Sequence, residues 1–398
     1  MPLLQIEESL PTPSEPSWAL WRLGFRPFYL LAAGFALCAV PLWLWQYTHG
    51  NWQSPGLTGM AWHAHEMIFG YAVAVIAGFL LTAVRNWTGV DTPAGAPLAA
   101  LALLWLAGRI LLPWAPPILG ASIDIAFLPA LALSLRRRLR QSGNRRNDFI
   151  PRLLCAMAAC NLAFHLAQNG WLHIDSMILL QAVLMLITTL EIILAGRVIP
   201  MFTRNAVPGI RQYRLEWLER SIAPLSLLVL LADLLPLPAR VLGAANLALA
   251  LLHAVRSYGW GAFKTGRQPL LWILHLGYGW IVIAFAAFAL EQAREIPVVA
   301  VHHMLAIGAL GSLTIGMITR TALGHSGRAL RAGKPETAAY VLVLLAALMR
   351  ITPLLVPYRG SYAAWMTASA TAWSLAFVCY LWKYAAILNR PRTDGKAG

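Results

Sequence analysis

Apolar runs of roughly 17–23 residues recur along the whole chain, each long enough to cross the hydrocarbon layer as a helix. They lie near 28–46, 62–84, 96–112, 117–135, 150–169, 174–195, 221–236, 238–255, 269–290, 297–318, 337–355 and 361–382. Two pairs, 96–135 and 221–255, are joined by hinges rich in proline (Pro113, Pro116 and Pro117; Pro236 and Pro238) and read as tight helical hairpins. The segment 18–28, WALWRLGFRPF, is amphipathic and is expected to lie along the membrane surface before the first span. The pattern predicts an all-α polytopic membrane protein, a bundle of twelve transmembrane helices over 18–390. Disordered cytoplasmic tails are expected at 1–17 and 391–398.

Composition agrees with the pattern. Of 398 residues 59% are hydrophobic and only 12% charged, with a mean hydropathy of +0.62. A soluble protein carries about twice that charge. Seventeen Trp suit a chain that anchors at two interfaces. A net charge of +15 would suggest nucleic acid in a soluble domain, but the basic residues sit in the loops between spans, so no nucleic acid is expected. With a cytoplasmic N-terminus, all of the 31 Lys and Arg fall on the cytoplasmic side except Arg240, Arg294 and Arg359 outside and Arg109 and Arg350 within spans. That asymmetry follows the positive-inside rule and puts both termini in the cytoplasm. No cleavable leader is expected, because the opening residues are Pro-rich and acidic. The four Cys fall inside apolar spans in no CxxC pair and read as small buried thiols. Two halves of six spans would divide near 197–220, without matching motifs.

The stretch 60–71, MAWHAHEMIFGY, puts His63, His65 and Glu66 where the second span enters hydrocarbon. Ionisable groups at that depth cost a few kcal/mol each and need a partner or ligand. By the predicted topology His63, His65, His165, His302 and His303 share the outer leaflet. Imidazoles on different helices can ligate haem iron or copper, or can form hydrogen-bonded packing or a proton path. His63 and His65 are roughly 200° apart on a regular helix and His302 and His303 about 100°, so neither pair should serve one ion. Each pair can instead serve two centres, or one centre and one support. Glu66 can orient an imidazole, move a proton or pair with an Arg. Asn161 and His165 share a helix face and can bond to each other. His275, alone near the cytoplasmic side, is a packing residue or a ligand. The small stripe Gly70, Ala74 and Gly78 allows a close helix approach. Glu191 with Arg197 reads as a helix-end salt bridge, Arg109 with Asp124 as a simple ion pair, and 324–328, GHSGR, as a polar cap. GxGxxG, Walker, GxSxG and HExxH patterns are all missing.

Five segments resemble the NnrS family: RLGFRPFYLLAA at 22–33, HAHEMIFGY at 63–71, GRVIPMFTRN at 196–205, LLWILHLGYGW at 270–280 and HHMLAIGALGSLTIGMITRTALGHSGR at 302–328. The resemblance implies a multi-pass protein of the bacterial inner membrane that binds haem, of b type, and copper, with links to denitrification and nitric oxide resistance. Carried over by position, its matching residues are His63, His65, Glu66, Arg197, Pro200, His275, His303, Arg320, His325 and Arg328. From these, with His165 and His302 added from the outer-leaflet reading, the expected set has Glu66 as the catalytic group, His63, His65, His165, His275, His303, Arg197, Arg320 and Arg328 around cofactor, and His63, His65, His302, His303 and His325 on metal. The function expected is binding, and reduction if it is an enzyme, of nitric oxide. The alternative is a transporter or metal-trafficking permease without stable haem. The expected partners are the lipid bilayer and nitric oxide; a quinol or soluble electron carrier and a homo-oligomer are left open.

Overall fold

The computed structural model describes residues 19–50, 56–357 and 360–395. Among these there is no strand, and twelve long helical rods succeed one another: α1 Phe25–His49, α2 Gly59–Thr88, α3 Ala96–Trp114, α4 Pro117–Gln141, α5 Phe149–Gln168, α6 Ser176–Ala206, α7 Glu216–Ala232, α8 Ala239–Tyr258, α9 Pro269–Gln292, α10 Val298–His325, α11 Lys334–Leu355 and α12 Tyr362–Asn389. Eleven are long and apolar enough to cross a bilayer, and α7 is the shorter twelfth at 17 residues. This is a multi-pass membrane protein. The rods overrun the apolar runs because their polar ends continue the helix beyond hydrocarbon. α6, with 31 residues, is about 46 Å long and must tilt or protrude.

Neighbours in sequence are mostly neighbours in space, and α1 closes the bundle by packing against both α2 and α12. At the centre stand α2, α6, α9 and α10; 89% of the central window of α2 is buried inside the protein. Small residues permit this. A Cβ at Gly78 of α2 would lie 2.9 Å from the Tyr29 ring of α1, and one at Gly277 of α9 would lie 2.8 Å from Leu313 of α10. Lipid drives helices together weakly, so such close backbone packing carries much of the association.

Two of the central rods are not regular. α2 passes through a π turn at Glu66–Ala72 and α10 through one at Met304–Gly311. Each begins directly after a histidine pair. A π turn adds a residue to the coil and rotates the helix on its N-terminal side against the helix on its C-terminal side, and such turns gather at functional sites. The widened turn leaves the Gly70 carbonyl able to accept from the Trp105 indole at 3.2 Å.

Two expectations change. Of the segment 18–28, Trp18 lies outside the described residues, 19–24 forms turns, and the rest is not a separate surface helix. From Phe25 it is already α1, and Arg26 is fully buried, its Nη1 donating to the Leu388 and Arg390 carbonyls at 2.9 and 2.7 Å. The guanidinium thus caps the end of α12, where unsatisfied carbonyls carry partial negative charge. The Cys are not all buried: Cys38 and Cys155 are exposed on the outside of the bundle, while Cys160 and Cys379 are half-buried. Of the tails expected at 1–17 and 391–398, residues 1–17 and 396–398 lie outside the described residues, while 391–395 is described, with Arg392 Nη1 donating to the His325 carbonyl and Thr393 N–H to the Ser326 carbonyl.

Candidate functional site

His63 and His65 leave α2 on different sides and enter different surroundings. His65 joins a buried polar cluster made by four helices. Its Nδ1 lies 3.0 Å from Glu66 Oε1, and its Nε2 lies 3.0 Å from Asn161 Oδ1 and 3.3 Å from Asp124 Oδ2. Arg109 Nη1 donates to Glu66 Oε1 at 2.7 Å, and Arg109 Nη2 pairs with Asp124 Oδ1. Asn161 Nδ2 donates to Asp124 Oδ2 at 2.7 Å, and His165 Nε2 lies 3.0 Å from the same oxygen. None of the six residues is more than 7% exposed, so the charges are held away from solvent and must be compensated among themselves.

The two oxygens of Asp124 are divided between duties. Oδ1 faces the guanidinium, and Oδ2 faces the imidazoles of His65 and His165. One ligand atom from each of His65, Asp124 and His165 lies within 4.8 Å of the others. Both ring nitrogens of His65 face oxygen acceptors, an arrangement satisfied by a second ring proton or by a cation in its place. Phe69 and Phe164 wall the His65 ring, with centroids at 4.7 and 5.0 Å. A small void of about 10 Å³ touches Arg109, Asp124 and Asn161. The Asn161–His165 bond anticipated from their spacing is not the arrangement found, since each turns to Asp124.

His63 faces the other way. Its ring stacks on Trp43 of α1 with centroids 4.0 Å apart and a 22° tilt, and its buried Nδ1 has no hydrogen-bond partner. It lies within electrostatic reach of His303 on α10 and of Arg350 on α11. His303 Nδ1 sits 2.6 Å from the Val299 carbonyl. A carbonyl only accepts, so Nδ1 carries the hydrogen and the Nε2 lone pair is left free to ligate. His302 turns away against Phe288, with centroids at 6.3 Å. Met67 and Met366 pack in the same apolar cluster as Trp43.

The remaining candidates are spread along the bundle. His275 Nε2 bonds the Thr203 hydroxyl of α6 at 2.9 Å, and its Nδ1 is buried without a partner. Arg197 Nη1 donates to Asn147 Oδ1 at 2.8 Å and does not pair with Glu191. Six residues along a helix is about 240°, so the two side chains point apart. Arg320 and His325 line a pocket at the far end of α10, and His325 packs on Phe25 at 5.6 Å. Arg328 Nη1 donates to the Ser326 carbonyl at 3.3 Å, part of the polar cap expected there.

Glu191 lies instead in an apolar cavity of about 80 Å³ between α2, α6, α9 and α10, and its buried Oε1 has no hydrogen-bond partner. An unpaired carboxyl there costs about 1–3 kcal/mol. Glu191→Leu is therefore expected to raise the midpoint of thermal unfolding in detergent. A lowered midpoint would show that the carboxyl serves the fold.

Sequence reasoning missed Asp124 and Asn161 as partners of His65 and His165, and Trp43 as the cover of His63. An Arg and an Asp facing each other across a hairpin within hydrocarbon was the available signal, since intramembrane charges gather at sites. The family model described as NnrS protein matches residues 19–392, nearly the whole chain. No curated protein matches.

Proposed function

The chain belongs to the NnrS family, and from that premise we propose that it serves the nitric oxide response through two metal centres at one end of the bundle. One would hold a haem through His63 and His303. The other is a copper ion held by His65, His165 and Asp124. The observation that carries the reading is the division of the two α2 histidines between separate clusters, each with a second imidazole from another helix. Haem between helices takes axial imidazoles from two of them, and imidazole suits copper.

The residues present fit both groups. His303 has its tautomer fixed with Nε2 free, and His63 keeps a buried nitrogen without a partner. At the other cluster, Nε2 of His65 and of His165 meet around Asp124 Oδ2. The chain has no CxxCH for covalent attachment, so the haem would be held without a c-type linkage, in keeping with the b type that the family resemblance implies. When bound, the two metals supply gas binding and one-electron chemistry.

The protein's own part is orientation, exclusion of water and proton handling. Glu66 Oε1 holds His65 through Nδ1, the indirect contact that fixes an imidazole toward a metal. Arg109 neutralises Glu66 and draws Asp124 Oδ1 aside, leaving Oδ2 turned to the imidazoles. Glu66 Oε2 is buried and unpartnered, the position from which a proton can be taken or delivered. Trp43 covers His63 on the side of α1. The asymmetry of Lys and Arg supports a reading in which this end of the bundle faces the outer side of a bacterial inner membrane, where an uncharged gas would reach it from lipid.

The test is metal analysis and a reduced-minus-oxidised spectrum on the detergent-purified chain, before and after nitric oxide. A Soret band that shifts with the gas, together with about one copper per chain as for a single three-ligand site, is expected. Consumption of nitric oxide with an added electron donor would make the protein an oxidoreductase, and binding alone a protective binder or sensor. Haem at background level would overturn the haem assignment and return the protein to the metal-permease alternative.

A further inference from the structure

At the opposite end of the bundle, about 33 Å along α10 from His303, a pocket of about 760 Å³ opens between the last turn of α6, the first turn of α9 and the end of α10 with the loop after it. Arg267, Arg320, Arg331 and His325 line it, and no Asp or Glu does. Arg320 is only 6% exposed, and its guanidinium lies over the Phe202 ring with Cζ 4.0 Å from the centroid. Among the described residues none of the three guanidinium groups has a carboxylate or a side-chain hydrogen-bond acceptor. The first turn of the 24-residue helix α9, with Pro269 and Leu270 in the wall, adds the positive end of a helix dipole.

We propose that this pocket binds a phosphate group. A buried guanidinium without acceptors is costly, and the other buried ones have them: Arg109 meets Glu66 and Asp124, Arg256 meets Glu219, and Arg26 donates to two backbone carbonyls. Arg320 has only an aromatic face, and its donors are turned toward a cavity with no acid on its wall. Three guanidiniums and a helix N-terminus around one space match a dianionic tetrahedral oxyanion, because each planar fork presents paired N–H groups to two oxygens. A single carboxylate would leave most of these donors unused. The pocket lies at the bundle's end between helices, so the phosphate comes either from a lipid headgroup or from a soluble phosphorylated molecule, and basic pockets of this placement suit the former. The site stands apart from the proposed metal centres, and its test needs no bound metal.

Inorganic phosphate is titrated against the full chain in detergent at constant ionic strength, reading the thermal unfolding midpoint, with acetate as the carboxylate control. Phosphate should raise the midpoint where acetate does not, and Arg320→Met should weaken that response about tenfold or more, the loss of one charge-assisted contact. If Arg320→Met does not fold, the double variant Arg267→Gln and Arg331→Gln, at two exposed positions, is expected to show the same loss. The titration is repeated in nanodiscs of phosphatidylglycerol or of phosphatidylcholine, with native mass spectrometry of the released protein. A response abolished in phosphatidylglycerol, with that lipid retained by wild type and lost by the variant, assigns the headgroup. A response unchanged in both nanodiscs assigns a soluble phosphate. Equal responses of wild type and the folded variants, or an acetate response matching phosphate, overturn the proposal.

Discussion

His303→Ala is expected to strip haem from the purified protein while leaving its copper, and His165→Ala to do the reverse. The prediction rests on the two imidazoles belonging to separate clusters. His303 lies with His63 beside Trp43 and Arg350, whereas His165 lies with His65 on Asp124. If His63 and His303 hold haem between them, removing either imidazole takes away one of its two anchors and leaves a void in an apolar wall, and occupancy should fall to near background. His63→Ala should behave as His303→Ala does, and His65→Ala as His165→Ala. Haem loss from all four variants would mean that the clusters form one centre. Haem retained in both His63→Ala and His303→Ala would sink the assignment of haem to these two residues. Metal content and the Soret absorbance per chain, measured on the same preparations, decide it.

The fold was legible because hydrocarbon imposes length and periodicity directly: each of the twelve apolar runs became one rod, and even the short α7 fell where a run of Leu and Val stood between Glu219 and Pro236. The separation of His63 from His65 was legible too, since two residues along any helix place side chains on nearly opposite faces. The π turns were not. A single extra residue in a coil leaves no mark in an apolar pattern, yet it sets how Gly59–His65 is turned against Val73–Thr88. Pairings across helices were hidden for a similar reason. Glu191 and Arg197 are close in sequence but point apart, while Arg109 meets Glu66 on another rod 43 positions away. Spacing reports a face of a helix and says little of which helix that face meets.

The histidine clusters also differ in what holds them, and this bears on the second large effect. His63 stacks on an indole that belongs to an apolar cluster, with Arg350 as the charge within electrostatic reach and no carboxylate bonded to the ring. Around His65 the neighbours are two carboxylates and a guanidinium, so the cluster depends on charge balance in a low-dielectric space.

Arg109→Leu is accordingly expected to cost the folded protein about 3–5 kcal/mol, the penalty for removing one partner of a buried ion pair. The loss should show as early unfolding in detergent. Arg109 is 7% exposed and bridges Glu66 on α2 to Asp124 on α4, so without it two carboxylates face each other's surroundings with no cation. Adding Asp124→Asn removes the second charge and keeps an oxygen for Asn161 and the imidazoles. The double variant should then recover at least half of the lost stability, because the uncompensated carboxylate is the main cost and close pairs couple strongly. Copper separates the two roles of Asp124. If its Oδ2 is a ligand, Asp124→Asn alone should lower copper content even where stability is regained. Stability losses that simply add in the double variant would mean that the pair is uncoupled, and that the cluster is held by the imidazoles alone.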